Sequence, residues 1–106
     1  MQPTKPIDRM EFHSPINMER SSGCTPVAKR AKSVMELYLN TDNTGYIEWE
    51  VPHYDLFESI GLTFEIDAKG KRTLADYDGV MTLPDQAMDL LERNGIDCAE
   101  MRRSLA

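Results

Sequence analysis

Apolar and polar residues alternate most cleanly over residues 46–51. Ile47, Trp49 and Val51 point one way; Tyr46, Glu48 and Glu50 point the other. β-branched and aromatic side chains dominate this run, so it reads as a half-buried strand. The same period of two runs through 34–39, where Met35, Leu37 and Leu39 alternate with Glu36, Tyr38 and Asn40. A helical face also fits this region, through Val27, Ala31, Val34, Met35 and Tyr38. The turn formers at 40–45 (Asn-Thr-Asp-Asn-Thr-Gly) decide for a strand, because they make 34–39 and 46–51 a hairpin with one shared apolar face. Leu62, Phe64 and Ile66 mark a third strand at about 61–67. Asp67-Ala68-Lys69-Gly70 is a turn, and 72–77 is a fourth strand with Leu74 as its clearest apolar position.

The period then changes. Leu83, Ala87, Leu90 and Leu91, with Met88 beside them, form one face of a helix over 83–94, and Asp85, Gln86, Asp89, Glu92 and Arg93 cover the other. Thr82 and Asp85 have the spacing of a capping box, and Pro84 falls in the first turn, where its missing N–H costs nothing. Asn94-Gly95 stops the helix, because glycine takes the left-handed conformation needed just past a helix end. Asp97 then caps a short final helix. Glu100 completes its box, and Ile96 and Met101 form a hydrophobic staple.

These elements predict an α+β domain: a small, largely antiparallel sheet of about four strands, one face covered by the C-terminal helix. The expected core is Met35, Leu37, Leu39, Ile47, Trp49, Val51, Leu62, Phe64, Ile66, Leu74, Leu83, Ala87, Leu90 and Leu91. Residues 52–59 read as a loop or a single helical turn after Pro52. Residues 1–30 hold Pro3, Pro6, Pro15 and Pro26 with a Ser/Gly run, and no sustained period. They are read as a flexible, disordered basic arm, leaving 31–106 as one domain. A unit of roughly 75 residues buries only about 60% of its unfolded surface. A monomer or a weak homodimer is therefore expected.

Charge sharpens this division. The net charge is −6, yet residues 1–33 carry six basic against three acidic side chains, and 34–106 carry six against fifteen. A basic arm precedes an acidic body. No apolar run approaches a membrane span and no apolar leader opens the chain, so a cytoplasmic protein without membrane contact is expected. Cys24 and Cys98 are read as free thiols.

The chemistry is sparse. Glu36, Glu48, Glu50 and Glu65 fall on the polar face of the sheet, where they would attract a basic protein. His53, Tyr54 and Phe57 make the 52–58 segment aromatic for a loop. Together these residues are the candidate partner-binding set. An alternative lies in the spacing of Asn40, Asp42, Thr44, Gly45 and Glu48, repeated loosely around Asp76, Asp78, Gly79 and Asp85, which follows a calcium-binding helix–loop–helix motif. Val51 and Leu74 stand where two of its carboxylates belong. A third reading is an enzyme or enzyme subunit using the Asp76/Asp78 pair or His53. Lys29, Arg30 and Lys32 are a short basic cluster, the one stretch suited to contacting nucleic acid. The resulting expectation is a non-enzymatic interaction domain that binds another protein and needs no cofactor.

Overall fold

The computed structural model describes residues 5–17, 28–52, 56–79 and 83–106. Five strands form one antiparallel sheet in sequence order: β1 Asp8–Asn17, β2 Ala28–Leu39, β3 Thr44–Val51, β4 Leu56–Ile66 and β5 Arg72–Asp78. Two helices follow, α1 Asp85–Arg93 and α2 Ala99–Leu105. The α+β architecture with a C-terminal helix on one sheet face is as expected, with five strands in place of about four. The additional strand, β1, lies in the stretch assigned to the arm. It pairs with a β2 that begins at Ala28, six residues before the expected start.

The hairpin register places Met35 opposite Trp49 and Leu37 opposite Ile47, and all four are buried. Ile60, Leu62, Phe64 and Leu74 continue this inner face across β4 and β5. Leu83, Ala87, Met88, Leu90 and Leu91 of the helical layer close over it, with Ile96 and Cys98 beneath the start of α2. Ile66 departs from the expected core. It forms the last ladder pair before the turn and is 49% exposed. Residues 56–59 are strand and not loop, which brings Ile60 into the core. Between Thr63 and Phe64 the register shifts: Thr63 pairs Asp76 while Phe64 pairs Leu74, leaving Ala75 as a bulge. The bulge lets Leu74 and Tyr77, three apart in sequence, both join the apolar side.

Local chemistry sets the ends of each element. The β4–β5 turn closes with Gly70 at φ +82, and the Asp67 carboxylate accepts the N–H groups of Lys69 and Lys71. Helix α1 begins at Asp85 with Pro84 as its N-cap and no side-chain cap. The expected capping box with Thr82 is therefore not what starts it, and Thr82 itself lies outside the described residues. At the other end Gly95 N–H donates to Glu92 C=O and Ile96 N–H to Leu91 C=O, with Gly95 at φ +83. That is a complete Schellman stop. Helix α2 has Cys98 as its N-cap and no side-chain cap, so the expected capping box of Asp97 and Glu100 is not what starts it. The Asp97 carboxylate, one residue further out, accepts the Ala99 N–H at 2.9 Å. Arg102 of α2 reaches across to Asp89 and Glu92, both at 2.7 Å, and fixes the two helices side by side. The Cys98 thiol is free and buried, and burial pushes its pKa up to about 12.

Helix α1 is tied to the far edge of the sheet through Asp8. Its carboxylate accepts two bonds from Arg93, at 2.9 and 3.0 Å, and one from Asn94 at 2.8 Å. Those bonds, with the Arg9 N–H, hold its pKa at about 2. The carboxylate therefore stabilises the fold above its ordinary range near 3.8, and that contribution is lost as pH falls toward about 2. Asp8→Asn is expected to lower Tm at neutral pH and to flatten the fall in Tm between about pH 5 and pH 2. Thermal melts of both proteins across that range measure the difference.

Two further expectations concern packing. A Cβ on Gly45 would lie 2.5 Å from the Tyr38 carbonyl oxygen, so Gly45→Ala forces backbone to move. A loss of about 1–3 kcal/mol in denaturant unfolding is expected. Ser33 Oγ is fully buried with no hydrogen-bond partner among the described residues. Ser33→Ala removes that uncompensated desolvation and is expected to raise stability by about 1 kcal/mol in the same assay.

Candidate functional site

Because both helices lie on one side, the outer face of the sheet carries no second layer among the described residues. Alternation along each strand decides which side chains reach it, and the register decides which are neighbours. Three rows result. Arg9, Glu36, Glu48 and Ser59 lie side by side on β1 to β4. Next to them run Glu11, Val34, Glu50 and Phe57. On the other side Tyr38, Tyr46, Gly61 and Asp78 run across β2 to β5.

The structure therefore brings together three of the four glutamates expected on this face. Glu36 and Glu48 are direct cross-strand neighbours, and Glu50 is the next outward residue along β3. Side chains in such a pair stand about 5 Å apart at Cβ, and like charges there are destabilising. Among the described residues no ion pair engages any of the three, because Arg9 and Lys32 both bind Glu11 instead. Glu65 is on the same face of β4 but opposite Thr73, several rows away. Phe57 is on the outer face and 58% exposed, opposite Glu50. His53 and Tyr54 lie outside the described residues.

Sequence reading did not single out the tyrosines. Tyr38 and Tyr46 stack with ring centroids 4.6 Å apart and planes within 9°. Burial pushes the Tyr38 hydroxyl pKa up, and the nearby charges of Glu36 and Glu48 add to that shift. The signal was available in principle, since a hairpin pairing Met35 with Trp49 must also pair Tyr38 with Tyr46.

The calcium reading loses its structural context. Asn40, Asp42 and Thr44 belong to the β2–β3 hairpin turn, where Asn40 Nδ2 donates to Thr44 Oγ1 at 2.9 Å and the Thr44 hydroxyl donates to Asp42. That bond lowers the Asp42 pKa. Strands flank this turn where the motif needs helices, so Glu48 points out from β3 instead of folding back. Asp76 and Asp78 stand on β5, and Asp85 opens α1 beside Arg102. Among the described residues no group of three or more His, Cys, Asp or Glu is placed to hold a metal ion. The Asp76/Asp78 pair of the enzymatic reading faces outward on an edge strand, on either side of Tyr77. Of the basic cluster, residues 29 and 30 lie in β2 opposite residues 16 and 15, and Lys32 pairs with Glu11 at 2.9 Å.

Both edges of the sheet are partly closed. Arg9 on β1 has its N–H bound by the Asp8 carboxylate and its C=O by Arg93. On β5 the Tyr77 N–H goes to Asp76, and Asp97 takes the Leu74 N–H and the Arg72 C=O. Strand addition is blocked at these points, which leaves the outer face as the larger surface without cover among the described residues. No helix among the described residues is long and apolar enough to cross a membrane. Compared with protein-family models, curated proteins and solved structures, the chain shows no significant match.

Proposed function

We propose that this domain is a non-enzymatic interaction module whose outer sheet face docks on a basic protein. The observation that carries the reading is the opposed Glu36/Glu48 pair with Glu50 beside it, on the outer face of the sheet and joined to no ion pair among the described residues. A fold that keeps like charges face to face pays for it in stability, and a cationic partner relieves that repulsion on binding. The exposed Phe57 and the half-buried Tyr46, stacked on the buried Tyr38, supply the aromatic area on which such contacts centre. Phe57, the described aromatic residue of the 52–58 segment, lies on this surface opposite Glu50.

The triple variant Glu36→Lys, Glu48→Lys, Glu50→Lys tests the reading. These side chains face outward and join no ion pair among the described residues, so circular dichroism should show the fold retained. The wild-type protein is expected to bind an immobilised lysine- and arginine-containing peptide at low salt. It should be released as ionic strength rises through about 0.15 M, where screening acts over roughly 8 Å. The variant is expected to flow through. Equal retention of both proteins would exclude this face as the docking surface.

A further inference from the structure

The row Tyr38, Tyr46, Gly61, Asp78 contains a gap. Tyr38 on β2 and Tyr46 on β3 stack at 4.6 Å, close to the spacing of neighbouring strands. The next position on β4 is Gly61, which has no side chain, and the one after it on β5 is Asp78. Tyr46 does not fold over the glycine. Among the described residues, a Cβ placed on Gly61 would meet only Asp78, through its Cβ and its carbonyl oxygen, both at 3.8 Å. The second face of the Tyr46 ring thus borders an open slot, floored by backbone and closed on the far side by a carboxylate-bearing residue. Along β4 the slot is flanked by the small polar residues Ser59 and Thr63. Glu48 lies opposite Ser59 at one corner.

From β3 to β5 the distance is about two strand spacings, roughly 9–10 Å. That width takes one planar group in van der Waals contact with the ring, about 3.5–4 Å away, and leaves it within hydrogen-bonding reach of Asp78. We infer that the slot over Gly61 receives an arginine side chain of the basic partner, its guanidinium continuing the Tyr38–Tyr46 stack and donating to Asp78. A guanidinium is flat, weakly hydrated and always charged, and it stacks on aromatic faces while using its edge to bind carboxylates. A lysine ammonium is a hydrated point charge and gains little from a slot of this shape. The inference rests on the outer face being the docking surface, and adds what that surface selects.

The test uses two short Gly/Ser-spaced peptides of equal charge, one bearing arginines and one lysines, titrated by calorimetry at low salt against the full chain and Gly61→Val. Valine suits a strand, and its Cβ finds only ordinary contacts at this position, so the variant should fold and keep its charge. Its melting temperature confirms this. The wild type is expected to bind the arginine peptide about threefold to thirtyfold more tightly than the lysine peptide. Gly61→Val should erase that preference while leaving the weaker lysine-peptide binding in place. Equal affinity of the two peptides for the wild type, or a preference that survives in Gly61→Val, overturns the slot and leaves the acidic docking face standing. Failure of the wild type to bind either peptide ends both readings.

Discussion

One helix layer has to cover a five-stranded sheet, and nearly every feature of the molecule follows from that constraint. A sheet has two faces, and a chain that supplies only α1 and α2 after β5 covers one of them. The layer between sheet and helices is accordingly almost all apolar, with Met35, Leu37, Ile47 and Ile60 of the sheet and Leu90 and Leu91 of α1 fully buried. Burial at about 25 cal/mol per Å² of apolar surface makes this layer the main source of stability. The opposite face is packed more lightly, around the Tyr38–Tyr46 stack. It tolerates a like-charge pair and an empty position over Gly61 because neither disturbs the core.

The helix layer also explains how the sheet's edges are finished. Only the C-terminal end of α1 reaches β1, and there the chain concentrates a bidentate Arg93–Asp8 pair, Asn94, and a bond to the Arg9 carbonyl. One cluster thus docks the helix and occupies the backbone of an edge strand. On the other edge, the segment leaving the Schellman stop runs beside β5 as a single parallel bridge at Thr73 and Asp97. An aspartate that binds the next residue's N–H recurs on both edges, at Asp8 and at Asp76.

How much of this was legible in sequence depends on whether period two survived intact. It did in β3 and in the second half of β2, so the hairpin, its register and the outward glutamates were readable from residues 34–51. It failed in β5 because the bulge at Ala75 separates Leu74 and Tyr77 by three positions on one side. β1 was hidden for a different reason. Met10 and Phe12 do alternate with Arg9 and Glu11, but Asp8, Pro15 and a high polar content mask a strand whose partner is the equally polar start of β2. Helix α1 was readable because amphipathic spacing and an Asn-Gly stop coincide. Its start was displaced from Thr82 to Pro84, since a proline holds an extended N-cap without help from a side chain. The stacked tyrosines needed only the hairpin register, whereas the gap beside them needed the pairing of β3 with β4, which no local pattern specifies.

The order of elements along the chain has a consequence for synthesis. Each strand pairs with its predecessor, so the sheet can assemble stepwise as the polypeptide emerges. Its apolar face, however, gains no cover until residues 83–105 have followed all five strands. A nascent sheet in this state presents a broad hydrophobic surface with a free β5 edge, the kind of transient species that chaperones bind and that aggregates when they do not. The two short helices therefore end the period in which the growing chain is vulnerable.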